Sequence, residues 1–273
     1  MLKCPACKSI NTQKREFRYN DKVRLLMQCN GCAHAFDIDY QNSNMGFAHG
    51  DYGLIDGEIP RFDRDLKLAT TLITSFLIKA GDKILDYGAG WGGLALRISQ
   101  LSKEYSLGIQ VNCFEPVQRL ARSIRKMDST IIVHSDLSTC EDFDFVIAKE
   151  VIEHTNNPQS FLTTLSSSMK KGASLLITCP GHSHALESEP GNPIDYQLSN
   201  HLHFFTKKSI SELVKRTELY ELKILALLDQ YPNQAKIQYT DQNKSQQILQ
   251  ILSNRVNTEV NHLQVLLRFT GNK

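Results

Sequence analysis

The chain has 273 residues and a formal net charge of +2; 41% of its residues are hydrophobic and 22% are charged. This composition is that of an ordinary soluble globular protein, and the length suits one large domain or one domain with a small appendage. The near-neutral charge argues against a general nucleic-acid binder, and no apolar run approaches the length of a membrane span. The N-terminus MLKCPACKS has no apolar stretch of signal-peptide length, so we expect a cytoplasmic protein.

Two C-x-x-C pairs lie near the start of the chain, Cys4 with Cys7 and Cys29 with Cys32. Two residues between thiols let both sulfurs face one tetrahedral site, so the two pairs predict a closed, structural Zn²⁺ site with four thiolate ligands. The alternation in residues 17–28 predicts the short hairpin that a zinc ribbon requires. A redox pair is the alternative, although a thioredoxin-type motif opens a helix after a strand and neither pair does so.

Three further cysteines, Cys113, Cys140 and Cys179, lie in apolar or strand-like contexts and are expected to be buried, inert thiols. His34 follows the second C-x-x-C pair and is expected at the surface, although its position would also allow it to replace one thiolate. Residues 44–62 are rich in glycine and aromatic residues, which is typical of a connecting segment. This segment is either a plain linker or a lid over an active site.

From residue 62 onward, predicted strands alternate with predicted helices. Apolar runs predict strands at Lys83–Tyr87, Gln110–Phe114, Ile131–His134, Asp144–Ala148 and Ser174–Cys179. Helical spacing predicts helices at Arg64–Lys79, Trp91–Leu101, Val117–Met127, Asn157–Met169 and Lys207–Thr217. This alternation predicts a doubly wound α/β domain over residues 63–273, preceded by a ribbon over residues 1–43 and the connecting segment 44–62. In such a domain the ligand lies at the carboxyl ends of the strands.

The stretch KILDYGAGWGG contains G-x-G-x-x-G over Gly88–Gly93, a pattern that by itself also suits dinucleotides. Asp86 stands two residues before Gly88, where a carboxylate would repel a pyrophosphate and suits a cationic ligand. Glu115 ends the second strand and can accept hydrogen bonds from both ribose hydroxyls. The two carboxylates together predict a positively charged nucleoside ligand rather than a dinucleotide.

These motifs resemble those of the class I S-adenosylmethionine-dependent methyltransferases, from about Lys83 to Thr206. ILDYGAGWGG is similar to the first motif of that family, CFEP to the second, HSDL to the segment near the adenine amino group, and FDFVIAKEVIEH to the fourth. The resemblance implies a seven-stranded, Rossmann-like sheet whose final strand, His262–Phe269, is antiparallel. It also implies S-adenosylmethionine as cofactor, bound by Asp86, Gly88, Ala89, Gly90, Glu115, Pro116, Asp136, Leu137 and Lys149.

A four-cysteine zinc module before such a domain resembles the bacterial sugar C-methyltransferases and related glycan-modifying enzymes. The expected acceptor is therefore a small molecule, in particular a sugar or a cell-surface glycan precursor. This chain is shorter than the sugar C-methyltransferases, which leaves methylation at oxygen, nitrogen or carbon open. An RNA methyltransferase and a non-catalytic scaffold are the alternatives; the near-neutral charge argues against the first, and the intact glycine motif with its carboxylates argues against the second.

The methyl group of a sulfonium is already activated, so the protein mainly has to align the acceptor and remove a proton from it. Histidine is the usual base near neutral pH. Several histidines fall on loops at the predicted ligand edge, with one carboxylate beside them: His154 and His203 are the first candidates, followed by His201, Glu150, His182 and His184.

The string E-x-x-E-H gives an alternative role to the same region. On a helical turn Glu150, Glu153 and His154 would share one face, and with His201 or His203 they would form a mixed oxygen and nitrogen site for Mg²⁺ or Mn²⁺. The string resembles that of ubiquinone-pathway O-methyltransferases and of small-RNA 2′-O-methyltransferases, in which a metal holds vicinal hydroxyls.

Overall fold

The computed structural model describes residues 2–19, 22–41, 58–181, 201–228, 238–239 and 262–271. Within these ranges the chain forms two β-sheets, a small antiparallel sheet of four strands and a mixed sheet of eight strands. Helices cover the larger sheet, so the predicted α/β class is confirmed.

The small sheet carries the two C-x-x-C pairs and has the strand order β1-β2-β3-β9. Its strands are β1 (Thr12–Tyr19), β2 (Lys22–Cys29), β3 (Ala35–Asp37) and β9 (His203–Phe204). The hairpin of β1 and β2 begins five residues before the predicted range 17–28, because Thr12 already pairs with Cys29. Strand β9 belongs to the α/β domain, so the ribbon shares a sheet with that domain.

The large sheet has the strand order β11-β10-β12-β8-β7-β4-β5-β6. Five strands are parallel, namely β4 (Lys83–Tyr87), β5 (Gln110–Phe114), β6 (Ile132–His134), β7 (Phe143–Lys149) and β8 (Met169–Pro180). Strand β12 (His262–Phe269) lies antiparallel between β8 and β10 (Tyr220–Leu228), and the two-residue β11 (Gln238–Tyr239) pairs with β10 at the edge. The seven main strands confirm the predicted Rossmann-like sheet and its antiparallel final strand.

The helices bury apolar side chains against both faces of this sheet. They are α1 (Glu58–Thr74), α2 (Gly93–Glu104), α3 (Gln118–Met127), α4 (Pro158–Ser166) and α5 (Lys207–Thr217). Leu72, Leu94 and Ile124 from α1, α2 and α3 belong to one buried cluster. Leu165 and Leu213 from α4 and α5 belong to the other, so the sheet is doubly wound as predicted.

The ribbon contributes to the same core as α4 and α5. Met27, Phe36 and Tyr40 are buried in one cluster with Leu162 and Phe205. The domain boundaries at residues 43 and 62 stay predictions, and α1 begins at residue 58, four residues before the predicted connecting segment ends. A ribbon of this size gains stability from the shared core, because a segment of about forty residues buries little apolar surface alone.

Helix α4 and strand β10 are among the elements that differ from the prediction. Helix α4 ends at Ser166, and Met169 begins β8 instead of closing the helix. The hydroxyls of Ser167 and Ser168 donate back to carbonyls of the last helical turn, which is how serines compete with helical hydrogen bonding. Strand β10 was not predicted, and a register irregularity between Leu222 and Ile224 interrupts its alternation.

The strand order places a topological switch point at β4, because β5 lies on one side of it and β7 on the other. The loops that follow β4, β5 and β7 therefore meet at one edge of the sheet. No helix in the described ranges is long and apolar enough to cross a membrane.

Candidate active site

The glycine-rich loop joins β4 to α2 at the switch point. The Gly88 amide donates to the carbonyl of Phe114 at 2.9 Å, which ties the loop to the end of β5. Gly90 and Gly92 have positive φ angles of 56° and 77°. A Cβ on Gly92 would lie 2.7 Å from Cγ1 of Ile124, so this glycine allows α2 and α3 to pack closely. A Cβ on Gly90 would meet no described atom within 4 Å, so there is open space beside the loop at this position.

Glu115 is held in one orientation directly beside this loop. Its side chain is buried, Oε2 accepts a hydrogen bond from the Gly90 amide at 2.8 Å, and Oε1 accepts one from the Val117 amide at 2.8 Å. Burial raises the pKa of Glu115, while the two backbone amides act in the opposite direction. Each carboxylate oxygen keeps a further lone pair, so the group can still accept hydrogen bonds from two hydroxyls.

Asp86 is the second-last residue of β4 and is a buried carboxyl group close to both an ammonium and another carboxylate. Burial raises its pKa to about 7; the nearby Lys149 ammonium lowers it, and the Asp65 carboxylate raises it. Lys149 Nζ is bound to Asp65 Oδ1 at 2.8 Å, which links the end of β7 to α1. Two carboxyls share one ammonium at this point, so a ligand with positive charge would complete the balance.

Asp136 and Leu137 follow β6 at the same edge. Asp136 Oδ1 accepts a hydrogen bond from the Ser138 amide at 2.9 Å and caps the short 3₁₀ turn Leu137–Thr139. The Ser138 amide also lowers the pKa of Asp136, so this exposed group is a carboxylate at neutral pH. Pro116 follows Glu115 directly after β5. The predicted cofactor residues therefore all lie at or just after the carboxyl ends of β4, β5, β6 and β7.

Glu150 is separated from the rest of the E-x-x-E-H string. It has a φ angle of 55°, its amide donates to the Thr178 carbonyl at 2.9 Å, and its Oε1 accepts from Thr178 Oγ1 at 3.0 Å. Because Glu150 has a left-handed backbone conformation, it cannot be part of a regular helix with the 3₁₀ turn Ile152–His154 that follows. The prediction that Glu150, Glu153 and His154 share one helical face is therefore wrong.

Glu153, His154 and His201 instead form the cluster that the fold brings together. One ligand atom from each of the three lies within 4.8 Å of the others. Glu153 Oε1 lies 4.0 Å from His154 Nε2, and the His154 and His201 rings are 4.7 Å apart between centroids. Glu153 is 1% exposed and the His154 side chain is 21% exposed. The cluster therefore has a buried carboxylate at its base and an accessible imidazole.

His203 lies deeper, between the ribbon and the α/β domain. It is 1% exposed, its Nε2 donates to the Thr155 carbonyl at 2.8 Å, and its Nδ1 lies 3.3 Å from His34 Nε2. Burial lowers the pKa of His203 to about 3, so the ring is neutral at neutral pH. The expectation that His34 lies at the surface is wrong, because His34 is fully buried against His203 and Phe205.

The four ribbon cysteines converge as the spacing predicts. Their sulfur atoms all lie within 4.8 Å of one another, with Cys4 and Cys32 at 3.7 Å and Cys7 and Cys29 at 3.5 Å. Zn–S bonds of about 2.3 Å in a tetrahedron place sulfurs about 3.8 Å apart, so the donor set fits a zinc ion. All seven cysteines have free thiols, and Cys113, Cys140 and Cys179 are buried as expected.

The two knuckles have the same backbone geometry. The amide of Lys8 donates to the Cys4 carbonyl and the amide of Ala33 to the Cys29 carbonyl, both at 2.9 Å. Lys8 and Ala33 both adopt positive φ angles, 62° and 58°. Two matching turns that aim thiols at one point are typical of a metal site and differ from a redox pair at a helix start.

The sequence reasoning missed Asp65 and Arg24. Asp65 is buried on α1. It could have been found from the sequence, because Leu68 and Leu72 follow it by three and seven residues, which places a carboxylate on the apolar face of the helix. Arg24 on β2 contacts Asp37 and the carbonyl of His201, and its position carries no comparable signal. His182 and His184 lie outside the described residues.

These observations define a protein with a Rossmann-like sheet that carries a glycine-rich loop and two buried acidic residues, Asp86 and Glu115, at its carboxyl edge. A family model described as a methyltransferase domain matches residues 62–223, which is more than half of the chain. The chain belongs to this methyltransferase domain family.

Curated relatives match part of the chain. N-methyltransferase 4 of Papaver somniferum is 30% identical over 129 residues, which are 45% of this chain and 34% of that protein. The mitochondrial ubiquinone biosynthesis O-methyltransferase of Dictyostelium discoideum is 30% identical over 115 residues, 42% of this chain and 33% of that protein. The chain thus aligns with about a third of the length of these relatives.

Solved structures share the fold at low identity. The plantazolicin methyltransferase BpumL in complex with SAH has a TM-score of 0.55 and 14% identity, covering 78% of this chain and 85% of that chain. Coclaurine N-methyltransferase bound to N-methylheliamine and SAH has a TM-score of 0.50 and 14% identity, covering 84% of this chain and 80% of that chain. These likenesses confirm the methyltransferase fold.

Proposed function

We propose that the protein transfers the methyl group of S-adenosylmethionine to a small-molecule acceptor, with His154 as general base. The observation that carries this proposal is the cluster of Glu153, His154 and His201. Glu153 and His154 follow β7 at the edge that also carries the glycine loop and Glu115, and His201 reaches them from the segment before β9. An accessible imidazole above a buried carboxylate is the arrangement expected of a base, because the carboxylate orients and stabilises the imidazolium that forms.

The proposed division of labour follows from the positions of the side chains. Glu115 accepts hydrogen bonds from the ribose hydroxyls, the Asp86 region faces the cationic end of the cofactor, and Asp136 with Leu137 borders the adenine. The cofactor supplies an activated methyl group for in-line transfer to the acceptor. His154 removes the proton from the acceptor hydroxyl or amine as the methyl group is transferred. The products are S-adenosylhomocysteine and the methylated acceptor, and the protonated His154 then releases its proton to solvent.

His203 and Glu150 have other proposed roles. The neutral, buried ring of His203 holds the turn at Thr155, and Glu150 fixes the start of that turn through Thr178. Both residues would support the reacting groups without contacting the acceptor. His201 contacts His154 and is the remaining candidate for orienting the base.

The proposed acceptor class is a sugar or a glycan precursor. The N-methyltransferase and O-methyltransferase relatives support a small molecule that presents nitrogen or oxygen, and the ribbon supports the glycan-modifying group. RNA methylation is the alternative that an acceptor screen would reveal.

Turnover with wild type and His154→Asn tests the proposed base. Release of S-adenosylhomocysteine is followed with sugar nucleotides, amines, phenols and RNA as acceptors. We expect the variant to lose about a hundredfold or more in kcat for the accepted class, with cofactor affinity changed less than about twofold. Equal kcat values for both proteins would contradict the role of His154.

A metal-dependent O-methyltransferase is the second candidate, and the convergence of Glu153, His154 and His201 favours it specifically. One carboxylate and two imidazoles suit Mn²⁺ better than Mg²⁺, which prefers oxygen ligands. Titration of Mn²⁺ followed by electron paramagnetic resonance distinguishes the two candidates. Binding that Glu153→Gln abolishes, together with turnover that EDTA stops and that added Mn²⁺ restores without Zn²⁺, supports the metal at this cluster; turnover that survives EDTA excludes a metal requirement there.

A further inference from the structure

The ribbon makes polar contacts directly at the residue that completes the cluster. Arg24 Nη2 donates to the carbonyl oxygen of His201 at 2.7 Å and to Asp37 Oδ2 at 2.7 Å, and Arg24 Nε donates to the same carboxylate oxygen at 3.1 Å. The Arg24 and Asp37 side chains are both only 18% exposed. A guanidinium is planar and rigid, so an arginine that is held by a carboxylate presents its other N–H groups in fixed directions. Arg24 thereby fixes the backbone at His201.

A chain of backbone hydrogen bonds continues from the ribbon into the catalytic turn. The Asp37 amide donates to the Leu202 carbonyl at 2.9 Å, and the Leu202 amide donates to the Glu153 carbonyl at 2.8 Å. Strand β3 also pairs with β9 through Ala35 and Phe204. A displacement of β3 therefore moves both backbones that carry the cluster, 201–202 and 153.

Two buried histidines provide a parallel connection. Because the Thr155 carbonyl only accepts, His203 Nε2 carries the proton, and the Nδ1 of this neutral ring accepts from His34 Nε2. His34 is two residues beyond the zinc-site residue Cys32. Thr206 Oγ1 adds a donor bond to the Cys32 carbonyl at 2.8 Å. The knuckle, the segment 201–206 and the turn at 152–155 thus form one hydrogen-bonded unit.

We propose that the zinc ribbon positions the Glu153, His154 and His201 cluster, and that Arg24 is the positioning residue through which it acts. The ribbon then serves the reaction as a fixed wall on the acceptor side, rather than as a separate binding module. An effect of Arg24 on the reaction rate would rest on the proposed function of the cluster, whereas the positioning of the cluster by Arg24 does not.

Hydrogen exchange and histidine labelling of Arg24→Ala and Arg24→Lys test this inference without an identified acceptor. We expect the Leu202 amide to exchange about tenfold faster in Arg24→Ala, because its bond to Glu153 loses the support of the ribbon. Carbethoxylation of His201 by diethyl pyrocarbonate should rise at least about threefold, because this side chain is 8% exposed in the intact site. Arg24→Lys keeps a single donor and should fall between wild type and alanine.

Arg15→Ala is the matched control, because Arg15 is an exposed arginine on the same hairpin. It should leave both readouts at the wild-type level, and amides of β4 and β5 should keep their protection in every variant. Wild-type exchange at Leu202 together with wild-type labelling of His201 in folded Arg24→Ala would overturn the proposal.

Zinc removal from the wild-type protein by a chelator gives a second route if Arg24→Ala fails to fold. The loss of zinc should raise exchange across residues 201–206 about tenfold or more while β4 and β5 stay protected. Unchanged exchange at 201–206 in zinc-free protein would overturn the proposal. If exchange rises but His154→Asn retains full turnover, the positioning role holds and the proposed base fails, so the two failures are distinct.

Discussion

Asp86 shows how a single buried carboxyl prepares the site for a cationic ligand. In the cofactor-free protein, burial raises its pKa to about 7 in spite of the Lys149 ammonium. The carboxyl of the unfolded chain ionises near pH 4, so this group disfavours folding progressively as the pH rises from about 4 toward 7. A bound ammonium would remove that cost, because it stabilises the ionised form.

Cofactor affinity should therefore depend on pH. A cation bound beside Asp86 expels its proton, so we expect the Kd of S-adenosylhomocysteine to rise about tenfold as the pH falls from 7 to 5.5. This range lies below the region near pH 8 in which an α-amino group titrates. Calorimetry at several pH values, in buffers of different ionisation enthalpy, measures both the affinity and the released proton.

Asp86→Asn should give a Kd that no longer changes with pH in this range. Asp142→Asn is the matched control, because Asp142 is exposed and its left-handed backbone (φ 58°) suits asparagine. A pH dependence that persists in Asp86→Asn would assign the proton to another group.

At the scale of elements, Thr206 links helix α5 to the ribbon. Its hydroxyl accepts from the Ser209 amide as a helix cap and donates to the Cys32 carbonyl. Helix α4 has a comparable cap at Asn157, whose side chain accepts hydrogen bonds from the Gln159 and Ser160 amides of its own helix. The Thr206 cap therefore adds a hydrogen bond to the ribbon, which allows the two caps to be compared.

Thr206→Ala should cost about 2 kcal/mol in the free energy of unfolding, and Asn157→Ala about 1 kcal/mol, because only the first also loses the bond to the knuckle. Thr206→Ser should stay close to wild type. Chemical denaturation with and without zinc measures the difference. If the cost of Thr206→Ala is the same in zinc-free protein, the hydroxyl acts as a cap alone.

For the whole molecule, the α/β domain could be predicted closely from the sequence. Strands β4 and β5 and helix α5 match their predicted ranges, because short apolar runs or helical periods are bounded by turn and cap residues. Strand β12 also matches its expected range, which the resemblance to the methyltransferase family implied. The four thiols converge for a similarly local reason, since each C-x-x-C knuckle specifies its own turn. Local patterns were sufficient for these elements.

The connections between distant segments could not be predicted in this way. His34 and His203 are 169 residues apart, and Arg24 is 177 residues from His201. Nothing in the period or spacing of either segment indicates that β3 pairs with β9. The E-x-x-E-H string was misplaced for a local reason, because the positive φ angle of Glu150 breaks the helical turn that the spacing suggested.

Calorimetric titration with S-adenosylmethionine tests the central claim of a methyltransferase cofactor site most directly. We expect one molecule to bind per chain, with an affinity that falls about thirtyfold or more in Glu115→Gln, because two hydrogen bonds to a charged acceptor weaken together. Glu104→Gln, an exposed glutamate at the end of α2, should bind as wild type does. Absence of binding to the wild-type protein, or equal affinity in Glu115→Gln, would contradict the account.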